Sequence, residues 1–196
     1  MMKKILLIAV VAMMATMNVN AQSDEPKNEV GIFYGIGSAS DIISTYAEVF
    51  SYAVGGQSSF WGPIGAEYYY HISPVVGVGA IAEYTSCKVD ALNQNEACDL
   101  TYITVMPAVK FNWLRKKSFG MYSGLAAGVM FASIDPGSSV KGQLDSDGKE
   151  IKKETATSFM FNATALGVEF GGNFRGFGEL GIGEKGILCF GLRYKF

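Results

Sequence analysis

The feature that most restricts the fold of this chain is an alternation of apolar residues with small or polar ones. It is clear in the stretch ILCFGLRYKF, where the apolar or aromatic positions are Leu188, Phe190, Leu192, Tyr194 and Phe196. The residues between them are small or charged. A period of two places successive side chains on opposite faces of a β-strand. The stretch therefore predicts a strand with one apolar face and one face of small or charged residues.

The same alternation recurs in seven further segments, separated by turn signals. The chain also contains 24 glycines, 13 phenylalanines and 10 tyrosines, and aromatic residues favour strands. We therefore expect an all-β fold of eight strands. The predicted strands are 29–37, 60–72, 75–87, 99–113, 119–134, 156–171, 175–183 and 187–196.

The connections between these strands alternate between short and long. They are short at Ser73-Pro74, at 115–118 and at Gly172-Asn173, and long and polar after the first, third and fifth strands. This asymmetry is typical of a transmembrane β-barrel. Charges and glycines share the face that must be interior in so small a barrel, so the apolar face must meet lipid; a soluble barrel would reverse the two faces. We expect an eight-stranded antiparallel up-and-down transmembrane β-barrel over 29–196.

The first 21 residues have the organisation of an export signal. Lys3 and Lys4 precede an apolar run over 5–14, and Val19-Asn20-Ala21 is a small-residue cleavage site. A retained membrane anchor is the alternative, but the run is too short to span a bilayer as a helix. We expect residues 1–21 to be removed, 22–28 to form a short periplasmic segment, and both ends of the barrel chain to lie in the periplasm.

The export signal, the eight alternating segments and the aromatic final strand together resemble the small outer-membrane β-barrel family. This family is typified by the outer membrane protein A transmembrane domain and outer membrane protein W. The resemblance implies a porin-like barrel in the outer membrane of a Gram-negative bacterium, surrounded by outer-membrane lipids and lipopolysaccharide. It also implies that the barrel assembly machinery reads a C-terminal signal, which here is Phe190, Leu192, Tyr194 and Phe196.

Several charged residues fall on the face that must line the lumen. They are Glu67, Glu83, Lys110, Glu169, Glu179 and Arg193. The interior of an eight-stranded barrel is just wide enough for side chains to fill, and buried charges must pair. We therefore expect a charged network that plugs the barrel. A three-residue turn over 184–186 would place Glu179 opposite Gly191 and diagonal to Arg193.

Two further features concern the connections. Cys87 and Cys98 flank the second external loop in the lumen-facing phase, so an exported protein could form a disulfide between them; two buried thiols are the alternative. Cys189 has no evident partner. Residues 40–52 carry an apolar stripe and a capping Ser40, which predicts a short amphipathic helix in the first external loop.

Composition and motifs exclude several functions. The chain has 16 basic and 18 acidic residues and a net charge of −2, which gives no basic surface for nucleic acid. The only histidine, His71, is predicted near the periplasmic turn, on the wrong side for catalysis at the external leaflet. Residues 143–154 resemble a calcium loop but lack its first ligand and its flanking helices. We expect no catalytic residue, metal or cofactor.

These features predict a non-enzymatic barrel with a structural or surface-interaction role and a plugged lumen. The alternative is a narrow channel for small molecules, apolar ones included, which the resemblance to outer membrane protein W suggests. A lipid-modifying barrel enzyme is the remote third option, because external Ser, His and acidic residues are not aligned.

Overall fold

The computed structural model describes residues 26–39, 57–90, 97–135 and 154–196, and side chains within 26–39, 62–86, 100–133 and 155–196. The export signal and the helix predicted over 40–52 lie outside these ranges. The strands match the predicted eight in order, and their ends differ by at most three residues. They are β1 Asn28–Ile36, β2 Gln57–His71, β3 Val76–Asp90, β4 Ala97–Arg115, β5 Phe119–Asp135, β6 Glu154–Gly171, β7 Phe174–Gly183 and β8 Leu188–Lys195.

The eight strands form a closed antiparallel barrel. Each strand pairs with the next, and β1 pairs with β8 through partners such as Gly31 and Arg193. The predicted all-antiparallel up-and-down architecture is therefore confirmed. Among the described residues, no helix is long and apolar enough to cross a membrane.

The alternation of the sequence separates the two surfaces of the wall. Large apolar residues cover the outside, and examples with more than half of their surface exposed are Ile32, Leu125, Phe159, Phe174 and Ile182. Soluble monomers rarely expose apolar patches of such extent. The inside combines charged groups with a small apolar cluster that includes Phe33, Ile81, Met106 and Phe177.

A β-bulge in β6 changes which residues face inward. Thr164 lies opposite Gly181 of β7, and Leu166 lies opposite the adjacent residue Leu180. Ala165 is therefore an extra residue in β6 that has no partner in the ladder. Asn162 and Thr164 are buried on one side of the bulge and Glu169 on the other. The inward positions thus change from even to odd numbers along this strand. Without the bulge, Glu169 and Thr164 could not both face the lumen.

The predicted register of the final hairpin is wrong by two residues. Glu179 lies opposite Cys189 rather than Gly191, and Leu180 opposite Leu188. The connection is longer than three residues, and Gly183 and Gly186 both have positive φ, 125° and 98°. Glycine adopts such angles without a steric penalty. The prediction that odd-numbered residues of both strands face inward is correct. The pairing of these residues differs because the turn has a different geometry.

Candidate functional site in the barrel lumen

The buried charges of the lumen form two groups along the barrel. We call the end that carries the turns after β2, β4 and β6 the turn end, and the opposite end the loop end. The lower cluster, toward the turn end, consists of Glu29, Lys110, Glu169, Arg175 and Lys195. The upper cluster, closer to the loop end, consists of Glu67, Glu179 and Lys185.

Two carboxylates organise the lower cluster. Lys110 Nζ lies 2.7 Å from Glu29 Oε1 and 3.4 Å from Glu169 Oε2. Arg175 Nη1 donates to Glu169 Oε1 at 2.8 Å, and Lys195 Nζ lies 3.5 Å from Glu29 Oε2 and also pairs with Glu169. All five residues are at most 3% exposed. Each carboxylate is therefore shared by at least two cations, away from water.

One ammonium group joins the two carboxylates of the upper cluster. Lys185 Nζ donates to Glu67 Oε2 at 3.0 Å and to Glu179 Oε2 at 2.6 Å. Glu179 also accepts hydrogen bonds from the Tyr122 hydroxyl at 2.7 Å and the Thr164 hydroxyl at 3.1 Å. The shared cation and the two neutral donors compensate the burial of these acidic groups.

Arg193 connects the two clusters. Its Nε donates to Glu67 Oε1 and its Nη1 to Glu169 Oε2, both at 2.9 Å, and Nη2 also pairs with Glu67. The guanidinium further approaches Glu29 Oε1 at 3.3 Å and Glu179 Oε1 at 3.5 Å. The side chain is completely buried. Only a planar cation with several donors can contact four carboxylates from one position.

Aromatic rings also contact the cations of the network. The Arg193 guanidinium lies 4.0 Å from the centre of the Phe177 ring and 5.0 Å from that of Tyr122. Lys110 Nζ lies 4.0 Å from the Tyr122 ring centre, and Lys185 Nζ lies 4.4 Å from that of Phe33. Cation–π contacts of this kind are strongest when water is excluded. The three cations are thus each in contact with both carboxylates and aromatic rings.

Glycines on the inner face provide the space for these side chains. A Cβ atom at Gly120 would lie 2.6 Å from Glu169 Oε1, and one at Gly167 would lie 2.3 Å from the Tyr122 ring. Both distances are below van der Waals contact. The glycine content of the chain therefore follows in part from the crowding of the lumen.

The structure brings five of the six predicted lumen charges together, namely Glu67, Lys110, Glu169, Glu179 and Arg193. The sixth, Glu83, is also buried in the lumen, at 4% exposure. Neither of its carboxylate oxygens has a hydrogen-bond partner among the described side chains. The charged groups that face it include Glu184 and Lys185. Glu83 thus differs from the other five in making no direct pair.

Sequence reasoning missed several members of the network. Glu29, Arg175 and Lys195 share the inward phase of their strands, so the alternation could have identified them. Lys185 belongs to a turn, where alternation gives no direction. His71, expected at the rim or in the lumen, lies with Nε2 3.0 Å from Glu29 Oε2.

The arrangement is suited to filling space and neutralising charge. The network contains four carboxylates and five Lys or Arg side chains. Every member of the two clusters, and Arg193 itself, pairs with at least one group of opposite charge. Within the described ranges, no group of three or more His, Cys, Asp or Glu side chains is placed to hold a metal ion.

The cysteine prediction concerns side chains outside the described residues. The backbone register places Cys87 opposite Leu100 and Cys98 opposite Val89, so the two cysteines are diagonal neighbours across the β3–β4 hairpin. Cys189 is a buried free thiol.

We predict that Cys87 and Cys98 are bonded in the exported protein. Diagonal neighbours lie about 7 to 8 Å apart and a disulfide needs roughly 4.4 to 6.8 Å between Cα atoms, so the hairpin must shift locally to form the bond. Mass analysis of a non-reduced digest should show one linked peptide pair, and Cys189 should remain free. A Cys98→Ser variant is the control, because it removes the linked pair without changing Cys87. Both thiols alkylated in protein taken from cells would show that the bond does not form.

Comparison with solved structures finds ten similar chains, among them two structures of Ail and one of OprF. Ail, the attachment invasion locus protein of Yersinia pestis, in complex with the heparin analogue sucrose octasulfate, is 15% identical over 88% of this chain and 98% of that one, with a TM-score of 0.46. A second Ail structure is 14% identical over 88% of this chain and 98% of that one, with a TM-score of 0.44. The N-terminal β-barrel domain of Pseudomonas aeruginosa OprF is 14% identical over 88% of this chain and 100% of that one, with a TM-score of 0.41.

No protein-family model matches the sequence, and a search of curated proteins finds no match. The closed barrel of eight consecutive antiparallel strands, established by the strand pairing of the chain itself, confirms the resemblance in fold to small outer-membrane β-barrels that the sequence predicted.

Proposed function

We propose that this protein is a non-enzymatic, integral outer-membrane β-barrel with a structural or surface-interaction role, and that its lumen is closed by the charged network. The observation that carries the proposal is the contrast between the two surfaces of the wall. The outside is apolar and exposed, whereas the inside holds paired charges on both sides of Arg193. A barrel with this polarity suits a lipid environment and not water.

The apolar outer face supports the location in lipid. Its exposed residues include Ile32, Val105 and Leu180 in three well-separated strands. Aromatic pairs lie near the turn end, where Phe119 and Phe170 have ring centroids 4.9 Å apart and Tyr194 and Phe196 5.9 Å apart. Aromatic girdles at the membrane interfaces are characteristic of outer-membrane barrels. The turn end then faces the periplasm, and the long connections face outward, toward lipopolysaccharide.

The interior supports a closed barrel and not a pore. Arg193 spans the lumen between Glu67 of β2 and Glu169 of β6, and ring side chains pack beside it. Opening a path would require several buried ion pairs to separate, and leaving a buried charge without its partner costs about 3 to 5 kcal/mol. The plug is tested by the current that the refolded protein passes in a planar bilayer.

Assembly provides the test of membrane location. We predict that deletion of Phe196 leaves export intact but impairs insertion by the barrel assembly machinery. Phe196 is 55% exposed and stacks on Tyr194, and its backbone exchanges two hydrogen bonds with Asn28. Fractionation of cells should find the intact protein in the outer membrane and the truncated form largely in the periplasm or degraded.

A Phe196→Tyr variant is the matched control, since it retains an aromatic terminus and should insert normally. Equal amounts of truncated and intact protein in the outer membrane would remove the terminal residue from the assembly signal. Absence of the intact protein from that fraction would refute the proposed location itself.

A further inference from the structure

We propose that Glu83, Glu184, Thr85 and Thr104 form a binding site for a divalent cation, calcium in the first instance, in the part of the lumen toward the loop end. We call it the Glu83 site. The inference goes beyond the proposed function and depends only on the fold of the barrel, not on its insertion in a membrane.

Glu83 is a buried carboxylate without a described partner. Its side chain is 4% exposed, and neither of its oxygens accepts a hydrogen bond from a described group. The carboxylates of the two clusters each pair with at least one Lys or Arg side chain. A buried charge that lacks a partner is unfavourable, and a bound cation would provide that partner.

The turn between β7 and β8 brings a second carboxylate to the same region. Glu184 N–H donates to the carbonyl oxygen of Phe161, and Lys185 N–H donates to Asn162 Oδ1, both at 3.1 Å. Glu184 is 1% exposed, so its side chain lies inside the barrel, where it faces Glu83. Two buried carboxylates that face each other repel when both are ionised. A cation held between them removes the repulsion.

Two buried hydroxyl groups add neutral oxygen atoms. Thr104 lies directly opposite Glu83 in the β3–β4 ladder, and Thr85 follows Glu83 by two residues on the same face. Both threonines are 1% exposed. Directly opposed residues have Cβ atoms about 4.5 to 5.5 Å apart, so the Thr104 hydroxyl is within reach of an ion held by Glu83. An all-oxygen environment favours hard cations, and calcium tolerates irregular geometry better than magnesium does.

The balance of charge in the lumen favours a cation over an anion. The lower cluster has two carboxylates and three Lys or Arg side chains. The upper cluster has two carboxylates and one lysine, Arg193 is shared, and Glu83 adds a third carboxylate on that side. Lys185 faces Glu83, but its ammonium already donates to Glu67 and Glu179. Among the described groups, negative charge therefore exceeds positive charge toward the loop end.

The Glu83 site departs from the expectation, drawn from the sequence, that the chain holds no metal. Its residues come from two strands and a turn, so no local motif signals it. It has two acidic groups, fewer than the three or more that define the clusters absent from the described ranges. We expect weak binding, with a Kd of about 0.1 to 1 mM, as in extracellular calcium modules.

Thermal unfolding of the protein refolded in micelles of a detergent without net charge tests the site. With calcium at about ten times its Kd, the midpoint should rise by about 3 to 6 °C relative to protein in EDTA. Sodium chloride at the same ionic strength should not raise it. Equilibrium dialysis should find one calcium ion fewer per chain in Glu83→Gln than in the parent protein.

Glu83→Gln should lose the calcium-dependent rise, and Glu184→Gln should weaken calcium binding by about tenfold. In EDTA, Glu83→Gln should be at least as stable as the parent, because it removes an unpaired buried charge. The matched control is Asp145→Asn/Asp147→Asn, in the stretch that resembles a calcium loop, and it should keep the rise.

Absence of a calcium-dependent rise in the parent protein would overturn the inference. A rise that persists in Glu83→Gln and disappears in the control would assign calcium to the connection between β5 and β6 and would also overturn it. Stabilisation by acid in place of calcium would identify the occupant as a proton, with the same consequence. Each of these results leaves the proposed membrane location unaffected.

Discussion

Replacement of Arg193 by alanine is expected to lower the free energy of unfolding by about 3 to 5 kcal/mol, the range for removing one partner of a buried ion pair. The guanidinium contacts four carboxylates, and it donates hydrogen bonds to Glu67 and Glu169 at 2.9 Å. Without it, the upper cluster keeps a single cation, Lys185, for the two buried carboxylates Glu67 and Glu179. Urea unfolding in lipid vesicles, followed by tryptophan fluorescence, measures the change.

Two control variants separate charge from geometry. Arg115→Ala removes an arginine that is only half-buried at the rim, so it should change the free energy of unfolding far less. Arg193→Lys keeps the charge but cannot contact both clusters, so its loss should be intermediate. An Arg193→Ala protein with unchanged stability and unchanged conductance would show that the network does not hold the barrel closed.

The second large effect is a contrast between two buried glutamates. Glu67→Gln should destabilise the protein by about 3 kcal/mol, because Arg193 and Lys185 each lose a charged partner. Glu83→Gln should be neutral or stabilising, because the Glu83 carboxylate has no hydrogen-bond partner among the described side chains. Burial of a charge without a partner is unfavourable, and an amide of the same shape removes that charge.

The two glutamine variants differ only in position, so their comparison tests pairing and not burial. Both side chains are at most 4% exposed. Thermal unfolding in detergent micelles, read by circular dichroism, should place Glu67→Gln well below the parent protein and Glu83→Gln at or above it. Equal losses in both would mean that burial alone determines the effect, and a larger loss at Glu83 would contradict the described pairing.

The strands and their faces could be predicted because alternation is a local property. Each residue's side in β2, β3 and β4 follows from its neighbours, so the inward direction of Glu67 and Lys110 was predictable. Alternation can place Gly120 and Gly167 on the inner face, but it cannot predict that they lie against Glu169 and Tyr122. Which charges meet depends on distances across the lumen, and those depend on the register of all eight strands.

The missed features arise where the chain departs from regular alternation. The extra residue Ala165 reverses the phase of β6 and leaves no local signal. The last hairpin shifts by two residues because Gly183 and Gly186 adopt positive φ angles. This geometry lets Lys185, a turn residue, reach Glu67 and Glu179. A turn side chain that enters the lumen cannot be recognised from a strand pattern.

The closure of the lumen is tested most directly by single-channel recording of the refolded protein in a planar bilayer. A plug of paired charges and rings around Arg193 predicts little or no steady current in the parent protein, and greater or noisier current in Arg193→Ala. Brominated-lipid quenching of the tryptophans in the same preparation confirms that the protein is inserted, so that an absence of current reports a closed barrel. A large, steady conductance in the inserted parent protein would contradict the plug and favour the narrow channel.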